Sequence, residues 1–392
     1  MTKLSDTCAR WRVQFVDRLR GNDFLVFLVI FVFFVVIMLG VISSARAAET
    51  PLTLSAAYFP ILPFDAPQEA EPSMIPVAGN QPLEGDHPGI KRAIVVIHDF
   101  SRDANKALTA VSSLAGSQNS STMILAPQFL LDSDIARFAD ALPEKGHDFA
   151  RWPLGGWSSG GDSLPVPGQK GISSFTVLDL LLMFLADKES FQDLKEITVV
   201  GHGEGGDFIQ RYAATGQAPD LVGQDNVPVH FIVADAASYL YLTSVRPREN
   251  RQGFSPPDTA ACKNYNEWPY GLDNLNAYAR RAGGNAIKTR FAARQVAYLV
   301  GQDVTKSDPA PDSGCAAMFQ GPDRVTRAVN FATYAHVLYG EAATQLQNLT
   351  VEPAVGYDPA ALYGSKCGMT LLFGNGDCTA PLQRQTENQP LQ

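Results

Sequence analysis

The 392-residue chain is long enough for one large domain with additions or for two smaller ones. Hydrophobic residues at 45% and charged residues at 18% fit a globular protein with a substantial core. A formal net charge of −9 leaves no basic surface to meet phosphates, which argues against a nucleic-acid partner, and simple solubility accounts for the acidity.

The N-terminal region divides into a segment 1–23 and an apolar segment 24–47. Phe24 to Ile42 carries no charge and, as a helix, reaches about 28 Å, close to the hydrocarbon thickness of a bilayer. Lys3, Arg10, Arg12, Arg18 and Arg20 outnumber Asp6, Asp17 and Asp23 before it, so the positive-inside rule puts the N-terminus in the cytoplasm and the rest of the chain outside. Two readings stand. Ala45-Arg46-Ala47 is an A-x-A pattern expected of signal-peptidase cleavage, whereas the length of the run exceeds a signal peptide's apolar region and favours an uncleaved membrane anchor.

Residues 48–89 are rich in Pro, Ala and Glu and read as a linker merging into one or two edge strands, from the apolar stretches Leu52–Phe59 and Met74–Val77. Regular alternation begins at Ile90. Ala93-Ile94-Val95-Val96-Ile97 is the run of a strand buried on both faces, and Ser101–Ala115 reads as a helix capped by Asp103 or Ser101. Thr122–Ala126 is the next strand, and Phe175, Leu178, Leu181, Leu182 and Leu185 form one helical stripe. Glu196–Val200, Val229–Ala234, Val296–Val300 and Leu349–Val355 are further strands. Helices are expected after Gly206 with Phe208, Ile209, Tyr212 and Ala213 on the inner face, over Val325–Tyr339, and from Pro359. Residues 238–293 are irregular and rich in Trp, Tyr, Pro and Asn, as a cap-like insertion would be. The alternation implies an α/β fold with a mostly parallel sheet covered by helices on both faces, and its ligand site belongs at the carboxyl ends of the strands.

Cys8 precedes the apolar run, while Cys262, Cys315, Cys367 and Cys378 follow it. An even number beyond the membrane suggests two disulfides, of which Cys367 with Cys378 would close a short C-terminal loop and Cys262 with Cys315 would clamp a long excursion; the sequence leaves the connectivity open, and free buried cysteines are the alternative. No CxxC spacing occurs, and the histidines show no H-x-x-x-H or H-E-x-x-H pattern. Neither zinc nor another cofactor is therefore implied.

After the Glu196–Val200 strand comes Gly201-His202-Gly203-Glu204-Gly205-Gly206. Strand, tight turn and helix follow each other as in the nucleophile elbow G-x-S-x-G, with glycine at the central place. From about Ile90 to Tyr363 the chain resembles the α/β-hydrolase superfamily. Gly-His-x-x-Gly-Gly with Gln210-Arg211-Tyr212-Ala213 looks like bacterial esterases and peptide hydrolases in which serine occupies the Gly203 position. The resemblance implies a hydrolase domain over 90–392 and a triad in the order nucleophile, acid, histidine. Asp303, after the Val296–Val300 strand, fits the acid, with Asp308 and Asp235 weaker candidates. Tyr357 stands where a histidine is expected. Glycine has no oxygen to attack a carbonyl, and a phenol of pKa near 10 is a poor base at neutral pH.

His98-Asp99-Phe100 follows the first central strand, and the N–H groups of Phe100 and Glu204 fall at the oxyanion-donor positions. Such donors bind a carbonyl or carboxylate oxygen, or are simply retained scaffold. His202 is expected to pack against a neighbouring strand, and Glu204 to be a polar rim residue, with a base or a cation-binding carboxylate as the alternatives. Gly156-Trp157-Ser158-Ser159-Gly160 also matches G-x-S-x-G but lacks the preceding strand, so it reads as a loop near the rim with Ser158 as a secondary nucleophile candidate. His98 and His336 read as structural. Trp152, Trp157, Trp268 and Tyr270 either line a groove or form a small core. The expectation is a catalytically impaired hydrolase relative, exported or anchored, that binds a small ligand or an envelope protein. The alternatives are a weakly active ester or amide hydrolase working through Ser158 or through water near Glu204 and Asp303, and a purely structural partner.

Overall fold

The computed structural model describes residues 58–378, apart from 64–65, 67–70, 139–141, 143–148, 166–169, 249–252, 261, 304–308, 310, 341–345 and 376–377. The chain divides into two units, Met1–Pro51 and Leu52–Gln392, and the described residues all belong to the second. The segment 24–47, with its anchor and cleavage readings, lies outside them. Among the described residues no helix is long and apolar enough to cross a membrane.

Among the described residues eight strands form the main sheet: β1 (Tyr58–Ile61), β2 (Ser73–Gly79), β3 (Arg92–Ile97), β4 (Thr122–Pro127), β5 (Glu196–His202), β6 (Val229–Ala234), β9 (Gln295–Gly301) and β10 (Gln347–Glu352), with a two-residue ladder of β7 (Arg246–Pro247) and β8 (Phe254–Ser255) outside it. The order is β1-β2-β4-β3-β5-β6-β9-β10. β2 runs antiparallel to both β1 and β4, and all other neighbours are parallel. The proline-rich region thus supplies two strands of the sheet itself. Pro60 is tolerated because β1 is the edge. The β-branched runs of β3 and β5 lie at the centre, where Val95, Val96, Ile97, Val199 and Val200 are buried by helices on both faces.

The helices follow the apolar stripes. In Ser174–Ala186 the side chains of Phe175, Leu178, Leu181, Leu182 and Leu185 are buried, and the Ser173 hydroxyl accepts from the Phe175 N–H to start the helix. Asp103 is the cap of Ala104–Ser112, its carboxylate accepting from the Lys106 N–H. Arg324–Tyr339 matches the expected late helix, and two short helices, Pro359–Gly364 and Lys366–Phe373, follow Tyr357. Within 238–293 lie β7, β8 and the helices Ala277–Ala282 and Gly284–Ala292, of which the second leads into β9. Both disulfides have the expected pairing, Cys262–Cys315 and Cys367–Cys378.

Register places the site. Ile97 pairs with Gly201, His202 with Ala234, Ala234 with Leu299, and Gly301 with Glu352. The carboxyl ends of five parallel strands therefore finish level, and the turns that follow them converge.

Candidate functional site

The turn after β5 has the backbone of a nucleophile elbow. Gly203 sits at φ 59° and ψ −118°, outside the regions open to most side chains, and its carbonyl begins the Glu204–Thr215 helix by accepting from the Asp207 N–H. Any side chain at Gly205 would strike the carbonyls of Ile97 and His98, so the helix crosses β3 too closely for anything larger than glycine.

What stands over Gly203 is the turn after β3. A side chain on Gly203 would collide with the Tyr357 hydroxyl and the Asp99 carboxylate. Asp99 Oδ1 accepts from the N–H groups of Phe100 (2.7 Å) and Glu204 (2.8 Å), and Oδ2 accepts from the Tyr357 hydroxyl at 2.6 Å. The two donors expected at an oxyanion hole thus both point at one oxygen, and that oxygen belongs to the protein.

Beneath this cluster lies His202. Its Nε2 is 3.2 Å from Asp235 Oδ2, its Nδ1 is 3.7 Å from Asp99 Oδ2 and has no hydrogen-bond partner among the described residues, and its ring centroid is 4.3 Å from that of Tyr357. Asp235 adopts φ 44° just after β6, and its Oδ1 accepts from the Gly301 N–H, which fixes the carboxylate between the ends of β6 and β9. The Arg324 guanidinium lies 4.5 Å above the Tyr357 ring and donates to the Asp235 carbonyl.

The electrostatics follow from burial and proximity. Burial alone would lift the Asp99 carboxyl, but the nearby His202, the Tyr357 hydroxyl and the Glu204 N–H hold it below the ordinary value. Burial would likewise lower His202, and the carboxylates of Asp235 and Asp99 more than offset this, holding it above the ordinary value. Tyr357 is raised by burial and by the Asp99 charge, so it keeps its proton. His98 is pushed down to about 4 by burial, despite the hydrogen bond to the Asp99 carbonyl. Its Nε2 accepts from the Phe129 N–H and its Nδ1 faces the Asp99 carbonyl, so it is a neutral strut under the Asp99 turn.

Above the cluster opens a cleft of about 590 Å³ whose lining includes Asp99, Phe100, Ser158, Glu204, Arg324 and Tyr357. Ser158, on a short turn at Trp157–Ser159, donates its hydroxyl to Glu204 Oε1 at 3.0 Å. Burial, with the nearby charges of Asp207 and Asp99, raises the Glu204 carboxyl to about 7, against the lowering effect of the Ser158 bond and Arg211.

The structure therefore brings Gly203, Asp99, Phe100, Glu204, His202 and Tyr357 together. It does not bring in Asp303, whose backbone N–H donates to the Val355 carbonyl while its side chain is exposed in the turn after β9. Asp308 lies outside the described residues. The carboxylate at the buried histidine is Asp235, from the preceding strand end. His336 is exposed on its helix. Trp152 and Trp157 are core residues, with Trp157 stacked on Phe129, whereas Tyr270 lines the cleft and donates to Asp312. Sequence reasoning missed the Ser158–Glu204 contact and the place of Arg324. The G-x-S-x-G loop was the signal for the first, and the second carried none.

No protein-family model matches the sequence, and neither does any curated protein. Among solved structures the chain is similar to poly(aspartic acid) hydrolase-1 from Sphingomonas sp. KT-1, at 17% identity and TM-score 0.51 over 81% of this chain and 97% of that one. It is also similar to a poly(3-hydroxybutyrate) depolymerase from Bordetella parapertussis, at 18% identity and TM-score 0.49 over 78% and 86% of the two chains. With the elbow turn at the carboxyl end of β5 in a mostly parallel eight-stranded sheet, and with the first of these likenesses over most of the described chain, this protein has the α/β-hydrolase fold.

Proposed function

We propose that the protein has lost serine-type hydrolysis at its elbow and uses the cleft above it to bind a ligand. One observation carries the reading: the Asp99 carboxylate takes both oxyanion donors at the point where a side chain on Gly203 would enter. Oxyanion donors accelerate acyl transfer by meeting charge that develops only in the transition state. Here they meet a permanent charge, and a substrate carbonyl would face an anion in their place. Gly203 supplies no nucleophile, and Tyr357 is a hydrogen-bond donor to Asp99 with its proton held firmly, so it is no base. In serine hydrolases, loss of the nucleophile alone costs on the order of a million-fold in turnover.

A second reading, weak ester or amide hydrolysis through Ser158, is favoured by the 3.0 Å contact of its hydroxyl with Glu204. The backbone donors at the elbow, the N–H groups of Phe100 and Glu204, are taken by the Asp99 carboxylate, which ranks this reading below binding. The two disulfides fit an oxidising compartment. With the N-terminal apolar run they support a protein facing the periplasm or exterior, anchored or released, and the mass of the mature chain distinguishes the two. The functional test is a fluorophosphonate probe applied to the purified full-length chain. No labelling is expected. Labelling mapped to Ser158 by peptide mass would replace the binding reading with the hydrolytic one.

A further inference from the structure

The chemistry of the cleft walls narrows the kind of ligand, on the premise that the cleft is a binding site. Glu204 Oε2 has no hydrogen-bond partner among the described residues, since only Oε1 is engaged by Ser158. Ser158 is 5% exposed, its hydroxyl faces Glu204 Oε1 at 3.0 Å and, more distantly, the Gly155 carbonyl at 3.4 Å, and among the described residues it accepts no hydrogen bond. Two acceptors from separate elements, the start of the Glu204–Thr215 helix and the Trp157–Ser159 turn, thus meet in the cleft with lone pairs to spare. A buried acceptor gains most from a donor that a ligand supplies.

Most of the neighbouring donors are committed, the buried Arg324 Nε alone among those named here lacking a hydrogen-bond partner in the described residues. Arg211 donates to the carbonyls of Ser158 and Pro269 and to the Ser238 hydroxyl. Arg324 donates to the carbonyls of Asp235 and Pro309, and Arg102 to Asp134 and the Phe100 carbonyl. The Tyr270 and Tyr357 hydroxyls donate to Asp312 and Asp99. At the mouth the character changes: Phe100 is 49% and Leu154 85% exposed, and both line the cleft. Exposed apolar side chains beside a polar floor are the lips of a site for a ligand with an apolar body.

We infer that the cleft takes a primary amine carried on an apolar body, with the ammonium held between Glu204 Oε2 and Ser158 Oγ and the body between Phe100 and Leu154. A cation there offsets the mutual repulsion of Glu204, Asp207 and Asp99, which, with Arg211 and Ser158, act most strongly on the Glu204 carboxyl, while Arg102, Arg324, Asp312 and Tyr357 also line the cleft. An anion would add to that repulsion. The ammonium also needs Glu204 ionised, so its binding strengthens as pH rises through the region of 7 where that carboxyl titrates.

The test is calorimetric titration of the full-length chain with three probes of one shape: 2-phenylethylamine, 2-phenylethanol and phenylacetate. For ligands this small, dissociation constants on the order of 1 mM are expected. The amine should bind at least about tenfold more tightly than either of the others at pH 8, a difference of about 1.4 kcal/mol. Glu204→Gln should abolish that preference while leaving the alcohol unchanged. Phenylacetate binding as well as or better than the amine would overturn the inference, though the cleft would remain a binding site. An amine preference that survives Glu204→Gln would overturn it too. If no probe saturates at about 10 mM, the amine site is refuted. Fluorophosphonate labelling of Ser158 bears on the binding-only reading alone and leaves the amine preference standing.

Discussion

The carboxylate of Asp99 stands in the space that a side chain on Gly203 would need, and it is bonded to the backbone of the residue that follows Gly203. The two positions are therefore coupled. Gly203→Ser with Tyr357→His is expected to give no esterase activity, because the new hydroxyl would have no room and the donors would stay occupied. Adding Asp99→Gly vacates both. Hydrolysis of p-nitrophenyl acetate by the triple variant, absent from the double, is the expected result. Activity in the double variant that does not rise with the third change would show that Asp99 is no obstacle. In stability terms, Gly203→Ala and Asp99→Gly should couple by about 1–3 kcal/mol in a double-mutant cycle, since removing the carboxylate relieves its share of the overpacking but neither the clash with the Tyr357 hydroxyl nor the backbone strain.

Much of this was legible in the chain. The β-branched runs fixed the central strands because strands buried on both faces need no alternation, and the glycines of the elbow announced a turn too crowded for side chains. The contents of the turn were less accessible. Asp99 lay in the expected loop, but only the short reach from β3 to β5, set by the Ile97–Gly201 register, turns its carboxylate back onto the donors. Asp303 fitted the acid by chain order, yet its side chain is exposed and the Tyr357 hydroxyl is bonded to Asp99 instead, while Asp235 reaches His202 through a left-handed backbone that sequence does not display. Ser158 and Glu204 are far apart in the chain, and no local pattern records a contact across such a gap.

Tyr357 holds Asp99 through one short hydrogen bond to a charged, mostly buried oxygen. Tyr357→Phe is expected to cost about 1.5–3 kcal/mol at neutral pH. The sign of the pH dependence follows from Asp99 lying below its ordinary value of 3.8: the stabilisation is present above that pH and is lost as pH falls through the folded-state pKa. Urea denaturation should therefore show wild type and variant converging in acid. A gap that stays constant from neutral pH down to strong acid would mean that the hydroxyl acts only by filling space.

His202 lies between two carboxylates, Asp235 and Asp99, and is held above the ordinary 6.5. A raised histidine contributes stability that is complete below 6.5 and disappears as pH climbs through the folded-state value. His202→Gln should thus cost more at pH 6 than at pH 9, by about 3 kcal/mol or more at the acidic end, because two buried carboxylates lose their counter-charge. A resonance from the His202 ring that titrates below 6.5 would contradict this arrangement outright.

Glu204, like His202 and unlike Asp99, makes the fold less stable as pH rises, and its variant separates folding from binding. With its carboxyl raised from 4.5 to about 7, the folded chain keeps a proton that the unfolded chain gives up, so stability falls as pH rises between those two values and stays low above them. Glu204→Gln removes the ionisation and can still accept from Ser158. It is expected to match wild type near pH 4 and to exceed it at pH 8 by about 2–3 kcal/mol, measured by urea denaturation at each pH. The substitution that destroys amine selectivity should therefore make the protein more stable. That combination marks a group kept ionisable for a ligand at a cost in folding, whereas a variant less stable at pH 8 would identify Glu204 as part of the scaffold.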